Sequence, residues 1–234
     1  MKRSTRRKRP SILGGSIAKM EAQLKAHGRL LRSFKKGDTV RGAGGMAIRK
    51  GYTYVLNAAP GDIDRSTGFD PDLSPGEMLM LGVFEGKYLN DCIREFPAEW
   101  FVGGIVFGTL SPGGADPLRC NLFGVKSRQP LWTWQENGWV PSGTPLGSSG
   151  SKGSKGRDIL ADPLLNPDER GWFQWYCRYW MGRRLPDLDH VQIGRWRSFR
   201  RHAGAVRAGC SRGTLSCRPR ERQALLQWAY NPFI

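Results

Sequence analysis

The chain has 234 residues, 39% of them hydrophobic and nine of them Trp, enough to bury a sizeable core in one domain with appendages or in two small domains. That composition excludes disorder throughout; no run approaches the ~18 uninterrupted apolar residues of a membrane-spanning helix, and the opening residues lack the apolar segment of a secretory signal. The expectation is a soluble intracellular protein with no membrane partner, and its formal net charge of +17 asks what it binds instead.

The excess charge sits in two blocks. Residues 1–36 hold twelve basic residues against Glu21, 12 − 1 = +11, and residues 170–222 hold thirteen Arg and no Lys against Asp187, Asp189 and Glu221, 13 − 3 = +10. The stretch between them, 37–169, carries 12 − 16 = −4. Clustered positive charge of this size is the footprint of a partner with a phosphate backbone, because binding there releases condensed counterions.

The first block opens with "MKRSTRRKRP", where Lys2, Arg3, Arg6, Arg7, Lys8 and Arg9 leave almost no apolar side chain, so a disordered arm is expected. "SIAKMEAQLKAHGRLLRSFKK" then reads as a basic amphipathic helix with Ile17, Met20, Leu24 and Leu31 roughly on one side. Residues 1–36 therefore form an appendage whose readings are a nucleic-acid arm, a nuclear or organelle address, or a solubilising tail.

Residues 37–141 form the first, α+β part of the globular domain. In "MAIRKGYTYVLN" the apolar runs 46–48 and 52–56 flank Arg49, Lys50 and Gly51 as in a β-hairpin, and the preceding "GAGG" lacks the spacing of either Gly-rich phosphate loop. Over 74–102 the helical grammar is clear. Ser74 caps, Pro75 takes the first position and Glu77 completes a capping box; Met78, Leu79, Leu81 and Phe84 carry the helix on, and a second short helix runs from near Asn90 or Asp91 to Phe96. The connection "FEGKYLNDC" gathers Glu85, Lys87, Tyr88 and Asp91, either as acid/base candidates or as a turn whose polar groups satisfy helix ends.

The runs "GIVFG" and "NLFGV" are β-prone, and Trp132 and Trp134 share one strand face or pack a core with Trp139. Ten of the fifteen residues 142–156 are Ser or Gly, which marks 142–158 as a linker or surface loop. The remainder, 159–234, is an aromatic- and Arg-rich helical part.

Within it, "NPDERGWF" repeats the start signal with Asn166, Pro167 and Glu169. Trp172, Trp175 or Tyr176, and Tyr179 then recur at helical spacing with Arg183 on the same line, while Phe173 and Trp180 point elsewhere. A helix aromatic nearly all round must be wrapped by other elements, so several rings are core and exposed ones are left to stack on bases. After "LPD" a helix over 188–208 turns Ile193, Trp196, Phe199 or Ala203, and Val206 inward, and Arg197, Arg200 or Arg201, and Arg207 outward, with Arg195 and His202 at the edges. Arg183 and Arg184 complete the expected phosphate-binding set. Exclusive use of Arg suits that role, since its planar fork grips phosphate bidentately and stacks on bases.

The spacings among His190, His202, Cys210 and Cys217 depart from those of zinc ligands, so no metal and no cofactor are expected. Five cysteines fit free buried thiols in a reducing compartment better than a disulfide framework, with Cys210 and Cys217 as the pair that oxidation would bridge. A last helix spans about Pro219 to Tyr230.

Taken together, "LGVFEGKYLNDC", "EFPAEWF", "GWFQWYCRYWMGRR", "CRPR" and "RQALL" resemble a family of small microbial and viral proteins of unknown activity, over roughly residues 76–230. The insertion at 142–156 is longer than the connection in that family. The resemblance implies a shared domain and carries over no functional residue.

The expected fold is thus α+β, a mainly α-helical domain with a small β-hairpin. The expected function is nucleic-acid binding, DNA or RNA, through the basic arm and the Arg-rich helix face. The alternative is an enzyme acting on a nucleotide or other phosphorylated substrate, with Arg183, Arg184 and Arg197 as anion clamps and Glu85, Lys87, Tyr88 or Asp91 as acid/base groups; it requires both sets to meet in one pocket. A structural component whose arm binds an acidic protein is a third reading.

Overall fold

Val40 and Tyr54 face each other across the antiparallel pairing of β1 (Thr39–Arg41) with β2 (Thr53–Val55). Alternation along each strand turns these two side chains inward and leaves their neighbours exposed. The computed structural model describes residues 34–42, 51–86, 92, 95–110, 117–126, 129–142 and 155–234. The arm at 1–33, the strand expected at 46–48, and Lys87, Tyr88 and Asp91 lie outside the described residues. The second strand of the expected hairpin is therefore found, and its partner is the earlier run Thr39–Arg41.

After a single 3-10 turn at Arg65–Thr67, capped by the Asp64 side chain, α1 (Pro75–Met80) begins with the capping box read from the sequence. The Ser74 N–H donates to Glu77 Oε2 at 2.7 Å and the Glu77 N–H to Ser74 Oγ at 3.3 Å. The helix does not continue to Phe84 as expected. Gly82 takes φ +81°, and a Cβ there would stand 1.9 Å from the Cys120 carbonyl oxygen, so the chain turns where only glycine fits. Phe84–Gly86 forms a 3-10 turn, and α2 (Glu99–Phe107) starts just after Pro97, where the sequence reading had a helix ending. The run "GIVFG" is thus helical, packed on α1 through Gly103 and Gly104.

Short α3 (Pro117–Cys120) and α4 (Leu131–Glu136) follow, so Trp132 and Trp134 lie on a helical turn instead of a strand. Trp132 is exposed and Trp134 packs on Gly171. The helix α5 (Lys155–Ala161) takes over the last residues assigned to the linker; 143–154 lie outside the described residues.

α6 (Trp172–Trp180) starts later than its sequence signal, because the Asn166 side chain accepts from the Asp168 N–H at 2.9 Å in a turn, and Gly171 with φ +80° leads into the helix. α7 (Pro186–Ser198) and α8 (Arg200–Gly209) meet at Phe199, two helices in place of the single one expected, and α9 (Pro219–Gln227) closes the fold. The protein is α+β and mainly helical, as the sequence indicates.

The core forms around α6. Trp172, Phe173, Trp175, Tyr176 and Tyr179 are all buried, because α1, α7, Trp228 and the loop bearing Phe69 pack against the helix. Phe69 meets Tyr176, Tyr179 and Trp196 edge-on at 5.8, 5.5 and 4.9 Å, arrangements that favour the ring quadrupoles beyond simple burial. These rings serve the core, which removes them from the stacking role that the sequence left open. Among the described residues no helix is long and apolar enough to cross a membrane.

Candidate nucleic-acid interface

Arginine dominates the second half of the chain, and the fold divides its arginines into internal and exposed groups. Arg178 and Arg183 are internal. Arg178 Nε donates to Glu95 Oε1 at 2.6 Å and its Nη1 to Asp168 Oδ1 at 2.8 Å; Arg183 donates to Asp168 Oδ1 at 2.8 Å and Oδ2 at 2.5 Å. Two guanidiniums and two carboxylates thus balance in charge, with the Arg178 guanidinium also lying 5.0 Å from the Tyr52 ring and 5.7 Å from the Tyr54 ring. Burial alone would raise the Asp168 carboxyl; Arg183 and Arg178 outweigh it and hold that pKa below the ordinary value. Burial, together with the Glu95 carboxylate, pushes the Tyr54 hydroxyl well up. Arg183 is 1% exposed, so the expected anion clamp is a structural ion pair with no free face for phosphate.

Arg222 is likewise buried and has carbonyls as partners. Its Nε donates to Cys217 O at 2.8 Å, and Nη1 to Pro232 O at 2.6 Å and Ile234 O at 2.8 Å, so it ties the 210–217 loop to the last residues. The same loop is closed by a Cys210–Cys217 disulfide; Cys92, Cys120 and Cys177 are free and buried. The expectation of free thiols therefore holds for three cysteines and gives way to the bridged pair for the other two.

A cavity of about 740 Å³ opens between the 57–67 loop and the start of α7, lined by Asp62, Asp64, Arg184, Asp189, His190 and Arg197 among others. Its arginines are engaged: Arg184 lies 3.9 Å over the Tyr179 ring and donates to the Tyr179 and Asp62 carbonyls, and Arg197 donates to the Thr67 carbonyl. Burial raises the Asp189 carboxyl, which accepts from Trp175 Nε1 at 2.7 Å and from the Leu185 N–H at 2.8 Å. Glu85 is buried elsewhere, its N–H donating to Asn121 Oδ1 at 2.8 Å, and it is not among the residues lining this cavity. Of the acid/base candidates only Glu85 falls within the described residues, and the structure does not bring it to Arg184 and Arg197. Among the described residues no group of three His, Cys, Asp or Glu side chains is placed to hold a metal ion.

The exposed group is larger. Between 195 and 220 the chain carries eight Arg and no acidic residue. Arg197, Arg200, Arg201, Arg207, Arg212, Arg218 and Arg220 are exposed, while Ile193, Trp196, Ala203 and Val206 pack inward as the spacing requires. Arg218 pairs with Glu221 at 3.2 Å, a solvent-exposed contact that leaves the guanidinium reachable. Arg195 sits at the edge, half-covered: it donates to Gln192 Oε1 at 3.0 Å, lies 5.5 Å over the Trp228 ring, and burial lowers its pKa to about 10.

Spacing alone did not reveal the ring system beneath this face. Trp228 stacks on Phe199 at 3.9 Å and 14°, and Phe199 in turn lies under the Arg201 guanidinium at 5.4 Å and beside His202 at 5.3 Å. The only sequence signal was "SFRRH", in which an aromatic residue precedes Arg and His at the outer edge of the helix. Comparison with protein-family models, curated proteins and solved structures finds no match to this chain.

Proposed function

We propose that the protein binds nucleic acid through the outer face of α7 and α8, assisted by the basic arm. The observation that carries this reading is the run from 195 to 220, with eight Arg, no acidic residue, and seven of the arginines exposed. Buried ion pairs account for Arg178 and Arg183, and within the exposed set Arg197 also donates to the Thr67 carbonyl and Arg218 pairs with Glu221. A surface rich in exposed guanidiniums focuses positive potential and presents planar donors matched to phosphate.

The test is fluorescence-anisotropy titration of labelled single- and double-stranded DNA and RNA with the full chain, from about 50 to 200 mM salt. Each phosphate contact contributes a slope of roughly 0.7–0.9 in log K against log salt, so replacing Arg200, Arg201 and Arg207 together by Ala is expected to lower the slope by about two to three. An unchanged slope, with binding abolished when the six basic residues of 1–10 become Gln, would assign binding to the arm alone.

A further inference from the structure

We infer that the nucleic acid taken by this face is single-stranded, its bases continuing the ring stack that emerges at Phe199 and Arg201 and its phosphates following Arg200 and Arg207. The inference rests on the reading of the face as a nucleic-acid surface and adds which form is bound.

The stack runs outward from the core. Buried Trp172 lies 4.6 Å from Trp228, Trp228 stacks on Phe199 at 3.9 Å, and the Arg201 guanidinium covers Phe199 at 5.4 Å. Trp228 thus has Phe199, Trp172 and the Arg195 guanidinium against it, and the ladder ends in the exposed Arg201 guanidinium with His202 alongside. A guanidinium plane or a His ring at the end of such a column is a surface on which an unpaired base stacks, and every base has a π-face to offer. In a duplex the faces are already stacked on neighbouring base pairs and are not free to join.

The backbone track lies beside the ladder. Arg200 and Arg207 share a helix face with Gly204, at i, i+4 and i+7. A Cβ at Gly204 would meet nothing within 4 Å, so the fold leaves bare helix backbone between the arginines. Phosphates passing there meet Arg on both sides while bases turn toward Phe199. Stacking plus a charged track is the way strands are held without sequence preference.

The experiment uses the full chain with fluorescein-labelled oligothymidylate and oligouridylate of roughly 20 nucleotides, longer than a ~4–16 nucleotide site, and a DNA duplex of equal length. Single strands are expected to bind about tenfold or more tightly than duplex at equal salt. Arg201→Lys keeps the charge and removes the plane, so single-strand affinity is expected to fall about five- to tenfold with an unchanged salt slope, and duplex affinity to stay level. Phe199→Leu, checked by its melting temperature, is expected to give the same pattern. Equal binding of strand and duplex, or indifference of single-strand affinity to Arg201→Lys, overturns this inference and leaves the proposed function standing. If neither strand nor duplex binds, or if binding is unaltered when Arg200, Arg201 and Arg207 are Ala, both fall together. The two oligonucleotides separate DNA from RNA as the source of the strand.

Discussion

Arg183 grips Asp168 with both terminal nitrogens, at 2.8 and 2.5 Å, while Arg178 shares the same Oδ1 at 2.8 Å. One carboxylate thus joins the turn before α6 to its last turn and to the segment after it. Asp168→Asn keeps the shape and removes the charge, leaving two buried guanidiniums against Glu95 alone. Breaking such a pair costs about 3–5 kcal/mol, which denaturant unfolding would measure. Because Asp168 has its folded pKa held below the unfolded value of 3.8, it stabilises the fold above that pH and the contribution is lost as pH falls through the folded pKa. Acid unfolding of the wild type is expected to steepen below about pH 4, and Asp168→Asn to be flatter there; parallel curves would show that Asp168 does not carry the effect.

The sequence made some of this legible and hid the rest for physical reasons. Local chemistry was readable: the Ser74–Glu77 box, the inward line Ile193, Trp196, Ala203 and Val206, and the outward Arg200, Arg201 and Arg207 all follow from spacing. Pairing at a distance was not. Asp168 lies 15 residues before Arg183 across a turn and a helix, and Glu95 lies 83 residues from Arg178; no periodicity shows that either carboxylate will arrive, so Arg183 reads as one more surface cation. Arg178, set among six aromatic residues in "WFQWYCRYW", did carry a warning, since a helix buried all round must also bury its charge. The late start of α6 was hidden by Asn166, whose side chain serves a turn as readily as a helix cap.

Reduction of the Cys210–Cys217 bridge, seven residues apart in sequence, is expected to lower stability by about 2 kcal/mol through the freed unfolded chain. The loop remains held by Arg222, which donates to the Thr214 and Cys217 carbonyls. Calorimetry with and without dithiothreitol should therefore show a lower melting temperature, while the salt slope of nucleic-acid binding changes by no more than about one, because Arg212 is the one exposed arginine within the loop. An unmoved melting temperature would mean that the bridge contributes nothing.

His202 offers a pH handle on the same face. Burial and the adjacent Arg201 lower its pKa below the ordinary 6.5 against the opposing pull of Glu221, so it is neutral at pH 7. Affinity for a polyanion is expected to rise as pH falls through that lowered value, and His202→Gln to flatten the rise. Stability moves the other way. The unfolded chain takes up the proton first, near pH 6.5, so stability declines as pH drops through that value and levels off below the folded pKa. A pH profile of affinity identical in wild type and His202→Gln would remove His202 from the interface.

Gly204 separates fold from function most cleanly. It is exposed in the middle of α8, and a Cβ there would meet nothing within 4 Å. Helix propensity alone makes Gly204→Ala stabilising by about 0.5–1 kcal/mol, since alanine loses less backbone entropy on folding. If phosphates cross the bare backbone between Arg200 and Arg207, the added methyl stands in their path, and single-strand affinity is expected to drop about two- to fivefold, or roughly 0.5–1 kcal/mol. A rise in melting temperature together with a loss of affinity cannot come from damage to the fold. A rise in both, or stability gained at constant affinity, would place the strand away from α8 and return the search to the arm.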